Sequence, residues 1–143
     1  MKRILPILIV VGMILLTGCG SNRVSAYRIE GKDWEIAVVQ SAADGTVLAV
    51  GESRQEGYPG ARVITLACTA KEGKLTLTDP QQSREGSYAR QDSSGVEAGI
   101  YTVTMGEQSG PAAVSVTTRQ DGSEEPTLVM QLGGYSLYFI AGE

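Results

Sequence analysis

Acidic side chains are the residues of this sequence whose types and spacing come nearest to a catalytic arrangement. Asp33 and Glu35 alternate along one segment, and Glu124 and Glu125 are adjacent. Glycoside hydrolysis uses two carboxyl groups that face each other across a sugar ring. Residues at positions i and i+2 of a strand project from the same face. We therefore expect Asp33 and Glu35 to be solvated side chains rather than a catalytic pair.

Histidine and the common catalytic sequence motifs are absent from the sequence. No histidine occurs among the 143 residues, which excludes Ser-His and Cys-His nucleophiles and His-containing zinc sites. No Gly-x-Ser-x-Gly, Ser-x-x-Lys or phosphate-binding Gly-x-x-x-x-Gly-Lys motif is present. Residues 121–125 offer oxygen ligands for calcium but lack the alternating acidic spacing of a calcium-binding loop. We predict no catalytic residues, no cofactor, no metal site and a protein that is not an enzyme.

One cluster mixes charge with an aromatic ring. Arg84, Tyr88 and Arg90 lie within one short segment. Sugar or peptide binding and ordinary surface solvation explain such a cluster equally well.

The amino terminus has the pattern of an export signal. Met1-Lys2-Arg3 is positively charged, and residues 4–16 are apolar over a stretch shorter than the about 20 residues of a membrane-spanning helix. The next residues, Leu16-Thr17-Gly18-Cys19, resemble the bacterial lipobox. That resemblance implies a lipid on the Cys19 thiol and cleavage just before it. We expect a helical lipoprotein signal peptide at 1–18, the lipidated cysteine and a short linker at 19–25, and a single all-β domain at 26–143.

This amino terminus predicts a lipid-anchored protein on the extracytoplasmic side of the cell membrane. A plain secretory signal and an uncleaved membrane anchor are the alternatives. A lipidated Cys19 cannot form a disulfide, so Cys68 would be the one remaining thiol. Cys68 lies in step with Ile64 and Leu66, which favours a small buried hydrophobic residue over a functional thiol.

Composition and patterning from Tyr27 onward indicate an all-β domain. The full chain has a net charge of −4, and loss of Lys2 and Arg3 with the signal makes the rest more acidic, which argues against nucleic acid as a partner. Apolar residues alternate with polar ones between short turns such as Asp44-Gly45 and Gly133-Gly134. This pattern predicts about nine or ten strands in an antiparallel meander that closes into a β-barrel, with a two-sheet β-sandwich as the alternative.

The first and last strands show apolar residues on both faces. In the first, alternation places Ile36 and Val38 on one face and Ala37 and Val39 on the other. In the last, residues 135–140, Tyr135, Leu137 and Phe139 share one face, and Tyr138 and Ile140 share the other. Such a wall requires either a cover outside the barrel or a ligand inside it, and ordinary packing under a loop is the simpler explanation.

The segment Gly31-Lys32-Asp33-Trp34 resembles the start of a lipocalin barrel, where a glycine and a tryptophan close one end. Lipocalins have one residue between the two, whereas this chain has Lys32 and Asp33 there, and no arginine follows Arg119 to cover the tryptophan. The strand pattern is similar to the lipocalin-like domains of small bacterial lipoproteins.

The resemblance implies a small apolar or amphiphilic ligand held without catalysis in the barrel mouth by Trp34, Tyr101, Tyr135 and Phe139. The alternative is a structural or interaction module with a filled core, whose partner is a protein of the cell envelope.

Overall fold

The computed structural model describes residues 28–91 and 99–141. The predicted signal peptide, the lipidation of Cys19, the linker and the polar residues 92–95 lie outside the described residues. A 3₁₀ helix at Glu52–Gly57 separates the second and third strands. The strands within the described ranges are β1 (Trp34–Ser41), β2 (Val47–Val50), β3 (Ala67–Lys71), β4 (Lys74–Thr78), β5 (Ser83–Arg90), β6 (Gly99–Met105), β7 (Gln108–Thr118), β8 (Glu124–Leu132) and β9 (Tyr135–Ala141).

These strands form one antiparallel sheet that closes on itself. Each strand from β3 to β9 pairs with its neighbour in sequence, and β1 joins the two ends of the series by pairing with both β3 and β9. The ring of β1 and β3–β9 is an eight-strand barrel, and β2 pairs with the later part of β1, along the same β1 edge that β3 joins at its start. The predicted all-β meander closing into a barrel is confirmed, and the alternative of two separate sheets is wrong.

Tight turns and strict alternation explain why these segments form hairpins. The β3–β4 turn uses Glu72 at φ 52° and Gly73 at φ 85°, and two positive φ values are the geometry of a two-residue turn that matches the twist of the strands. The following β4 buries Leu75 while Lys74 and Thr78 on the other face are exposed. Local sequence therefore sets both the position and the facing of this hairpin.

The inward-facing side chains of the ring pack together as one core. Trp34 and Phe139 are both 0% exposed at its centre. The other members are Ile29, Ile36, Val39, Ala49, Cys68, Ala70, Leu75, Tyr88, Tyr101, Val103, Met105, Ala112, Val114, Leu128, Met130, Leu132 and Leu137. Cys68 is 0% exposed, and burial raises the pKa of its thiol to about 12. The prediction that Cys68 is a buried hydrophobic residue is confirmed.

The β1 strand departs from simple alternation, and the predicted facing of its residues is wrong. The register of β1 against β9 shifts between Ile36 and Val38, which is a β-bulge. Ile36 and Val39 consequently belong to the barrel core, whereas Ala37 and Val38 pack together outside it. The extra residue places Val39, instead of the predicted Val38, on the same face as Ile36.

The alternating sequence from Arg62 to Thr69 predicts one strand, but this segment is ordered differently. Regular pairing begins at Ala67, and residues 62–66 instead run beside β2, where Val50 donates a backbone hydrogen bond to the Arg62 carbonyl at 2.8 Å. Ile64 returns a bond to the Val50 carbonyl at 2.9 Å. Because β2 already occupies this part of the β1 edge, the incoming chain can join β1 only further along.

Candidate functional site

One end of the barrel is sealed by the segment that precedes β1. Ile29 is 0% exposed and lies over the core. The Trp34 indole Nε1 donates to the Ile29 carbonyl at 2.9 Å, and the Ile29 amide donates to the Tyr101 hydroxyl at 3.2 Å. Both polar atoms of these aromatic side chains are thus satisfied by the backbone of one residue. We call this the sealed end of the barrel.

Polar contacts tie the sealing segment to the barrel wall. The Tyr88 hydroxyl donates a short hydrogen bond to the Glu30 carboxylate. Burial, followed by this bond to Glu30, raises the pKa of Tyr88 to about 12. The Tyr88 ring also meets Tyr101 edge to face, with centroids 5.9 Å apart. This end of the barrel is therefore held shut by specific bonds as well as by packing.

Lys32 lies over the Trp34 ring, where the lipocalin resemblance implies an arginine that this sequence lacks. The Lys32 ammonium lies 5.8 Å from the centroid of the Trp34 ring and donates to the Arg28 carbonyl at 2.9 Å. Burial, together with the positive charge of Arg28, lowers the pKa of Lys32. The sequence spacing could have indicated this contact, because Lys32 lies two residues before Trp34 and its long side chain can reach the ring.

The four residues predicted to line a ligand site do not share an accessible surface. Trp34 and Phe139 are 0% exposed and Tyr101 is 3% exposed, so all three side chains are surrounded by other protein atoms. Tyr135 is 50% exposed and begins β9 beside Leu132, at the end of the barrel opposite Trp34. The structure brings three of the four together as packed core and places the fourth on the far rim.

An apolar row crosses the outside of the barrel, perpendicular to the strands. Cross-strand pairing connects Ile100 to Ala113, Ala113 to Val129, and Val129 to Tyr138. The row continues from Tyr138 to Val38 on β1 and to Val50 on β2. No sequence window contains this row, because its members come from six different strands. We call its first four members, Ile100, Ala113, Val129 and Tyr138, the apolar belt.

The far part of the row is covered by the chain between β2 and β3. Gly51 donates to the Ala37 carbonyl at 2.9 Å, and a Cβ at Gly51 would lie 2.0 Å from the Ile36 carbonyl oxygen. Only glycine lets the chain leave β2 this close to β1. The cover then packs Ala61 against the outer cluster of Ala37, Val38 and Val50. Within the belt, Tyr138 packs against this outer cluster and is half-buried, as are Ala113 and Val129, whereas Ile100 is 45% exposed.

A hollow lies on each side of the Val129–Tyr138 ridge. The first, of about 210 Å³, is lined by Ile100, Pro111, Ala112, Ala113, Val129 and Gln131. The second, of about 370 Å³, lies between Tyr138 and the cover and includes Arg54, Tyr58 and Glu125. These hollows give the belt a contoured surface that a second molecule can fill.

The face that carries the belt is nearly free of charge. Among the outward-facing residues of β6–β9, which all lie within 99–141, only Glu125 is charged. Its carboxylate is paired with Arg119 at 2.8 Å and Arg54 at 3.6 Å. The outer face of β4 and β5, by contrast, carries Lys74 and Glu85, 3.8 Å apart. Depletion of charge around an apolar centre is typical of protein-binding surfaces.

The other candidate residues do not form a reactive site. Asp33 and Glu35 are exposed, and Arg84 and Arg90 are exposed at opposite ends of β5. In the 121–125 segment, the Asp121 carboxylate accepts hydrogen bonds from the Ser123 hydroxyl at 2.6 Å and amide at 2.9 Å. These two bonds lower the pKa of Asp121 and show that its oxygens stabilise the local turn.

Two further findings concern only the residues from 28 to 91 and from 99 to 141. No group of three or more cysteine or acidic side chains there is arranged to hold a metal ion. No helix in the same ranges is long and apolar enough to cross a membrane.

Comparison of the chain with protein-family models, with curated proteins and with solved structures gave no match.

Proposed function

We propose that this chain is a lipoprotein anchored through Cys19 to the extracytoplasmic side of the cell membrane, and that its barrel is a non-catalytic protein-interaction module. The observation that carries the proposal is the contrast between the two faces of the barrel wall. The interior is filled by its own side chains, with Trp34 and Phe139 at 0% exposure, whereas the outside carries an uncharged apolar belt.

A ligand in the barrel mouth is not part of this proposal. Ligand sites are concave cavities of about 300 Å³ or more into which apolar side chains project. Trp34, Tyr101 and Phe139 instead contact neighbouring core side chains, and Ile29 closes the end above them. In architecture the proposed module is lipocalin-like, with eight antiparallel strands, but its interior is occupied.

Anchoring follows from the amino-terminal sequence. Eight residues lie between Cys19 and Arg28 at the sealed end, and the nine Cα-to-Cα steps of a fully extended segment reach about 30 Å. A lipid on Cys19 would therefore keep the barrel close to the bilayer, with the sealed end nearest to it. The belt crosses one side of the barrel, where neighbouring molecules in the envelope would be met.

Native mass spectrometry of the full-length protein extracted from its own membranes tests the proposal. We expect a complex with a polypeptide that is lost in a Val129→Glu variant and kept in a Thr69→Glu variant, because Thr69 is an exposed residue outside the belt face. A bound small organic mass without any polypeptide would contradict the proposal and favour the ligand-binding alternative.

A further inference from the structure

We propose that a cleft on the outside of the barrel, between the cover and the barrel wall, binds a sugar. The cleft is the hollow of about 370 Å³ between Tyr138 and the cover. Small-molecule sites have volumes of about 300–1,000 Å³, so the cleft is large enough for one such ligand. The cleft shares Tyr138 with the belt, but the inference concerns a small ligand and goes beyond the proposed binding of a polypeptide.

Aromatic and aliphatic side chains give the cleft apolar surfaces on two sides. Tyr58 lines it from the cover, and Tyr138 lines it from β9. Val38 and Ile140 add aliphatic surface on the barrel wall. A sugar ring presents C–H groups on its faces and hydroxyl groups around its edge. Its faces can therefore pack against the tyrosine rings, whose apolar bodies and polar hydroxyls suit a ligand of mixed character.

Polar side chains without a partner in the protein surround these apolar surfaces. No hydrogen bond joins the Gln40 amide or the Thr117 and Thr127 hydroxyls to another residue in the ranges 28–91 and 99–141. Within those ranges the same is true of the Tyr58 and Tyr138 hydroxyls. Hydroxyl and amide groups both donate and accept hydrogen bonds. The cleft therefore offers several donors and acceptors to a ligand that carries many hydroxyl groups.

Arg54 and Glu125 place a charged donor and a charged acceptor side by side in the cleft. The Arg54 Nη2 and the Glu125 Oε1 are 3.6 Å apart, which exceeds the about 2.7–3.2 Å of a hydrogen bond. The other carboxylate oxygen, Oε2, accepts a bond from Arg119 at 2.8 Å, which fixes the carboxylate in place. Neighbouring hydroxyl groups of a sugar can thus donate to Oε1 and accept from Nη2 without displacing that bond.

The charge and polarity of the cleft argue against other classes of ligand. Among the described residues that line it, Arg54 and Glu125 carry the charges, and these cancel. A phosphate would meet one guanidinium beside a carboxylate of its own sign, and a cation would meet Arg54. An apolar ligand would bury the Gln40 amide and the threonine hydroxyls without partners, which is unfavourable. A neutral molecule with an apolar face and many hydroxyl groups fits all of these features.

Saturation-transfer NMR on the full-length protein tests the inference, in a detergent that has no sugar headgroup. The probes are the methyl glycosides of glucose, galactose, mannose and N-acetylglucosamine at millimolar concentration, together with a neutral tripeptide whose ends are blocked. We expect saturation to pass from the protein to the ring protons of at least one glycoside and not to the tripeptide.

Two variants of cleft residues each have a matched control. Tyr58→Ala should weaken glycoside binding about tenfold, whereas Tyr135→Ala should leave it unchanged, because Tyr135 is an exposed tyrosine on the far rim. Arg54→Gln should also weaken it about tenfold, whereas Arg84→Gln, at an exposed position of β5, should not. Fluorescence of the buried Trp34 verifies that each variant is folded.

Three outcomes would overturn the inference. The first is an absence of saturation transfer to all the glycosides. The second is glycoside binding that Tyr58→Ala and Arg54→Gln leave unchanged, or that the two controls weaken equally. The third is binding of the tripeptide that is lost in Tyr58→Ala, which would assign the cleft to a peptide. The polypeptide complex sought by native mass spectrometry is a separate measurement, so failure of the sugar site leaves the proposed function standing.

Discussion

Removal of the Phe139 ring should be one of the most destabilising single changes in this domain. Phe139 is 0% exposed and lies in the core between β1 and β8, opposite Ile36 and Leu128. Truncation of a fully buried phenylalanine to alanine costs about 3–5 kcal/mol in the free energy of unfolding. A domain of this size has a total stability of about 5–15 kcal/mol. Phe139→Ala should therefore leave a marginally stable folded protein, or a protein that does not fold.

Tyr135 supplies the matched control on the same strand and the same face. It is 50% exposed at the rim, so Tyr135→Ala should cost about 1 kcal/mol or less. Guanidinium unfolding of residues 19–143 carrying Cys19→Ala measures both values, and the single tryptophan, Trp34, reports on the core through its fluorescence. A cost for Phe139→Ala near that of Tyr135→Ala would refute the filled interior, because a ring that lines an open cavity loses few contacts when it is removed.

Three further changes probe other parts of the structure. Gly110→Ala should destabilise the protein by about 3 kcal/mol or more, since the added Cβ would lie 1.9 Å from a β8 carbonyl oxygen. The control Gly57→Ala, where nothing lies within 4 Å of the added Cβ, should cost less than about 1 kcal/mol. Equal thermal stabilities of the two variants would contradict the close approach at Gly110. Burial and, after it, the bond to Glu30 raise the pKa of Tyr88 to about 12. The neutral hydroxyl therefore stabilises the fold fully below its unfolded pKa of about 10, and this contribution is lost as pH rises through about 12. Tyr88→Phe should cost about 1.5 kcal/mol at neutral pH and remove this alkaline loss of stability from unfolding curves, and an unchanged loss would count against the bond. Mass spectrometry of the membrane-bound protein should find a first peptide that begins at a lipid-bearing Cys19, and an unmodified thiol there would refute the anchor.

Local pattern was sufficient to predict most of the strands. The clean alternation of residues 74–78 after the Glu72-Gly73 turn predicts a strand there, and β4 occurs at Lys74–Thr78. The pattern around β7 predicts a strand only at residues 113–118, after Gly110. The strand instead begins at Gln108, and Gly110 lies within it, where its missing side chain admits a neighbouring carbonyl.

The facing of β1 and the candidate site could not be predicted in the same way. A bulge at Ala37 reverses the facing of Val38, and bulges leave no reliable mark in the local pattern. The apolar belt depends on the register between β6, β7, β8 and β9, which brings single residues from distant positions into one row. The sequence showed that the last strand is apolar on both faces, and the structure shows which neighbours share its outer face.

The central claim is that the outside of the barrel, rather than its interior, binds a partner at the membrane. Hydroxyl-radical footprinting of the protein in its own membranes, compared with the released protein, measures side-chain exposure at both places. We predict lower modification of Ile100, Val129 and Tyr138 in the membrane, with Tyr135 at the rim modified equally in both states. Equal modification of the belt in the two states, with protection at Tyr135 instead, would contradict the account.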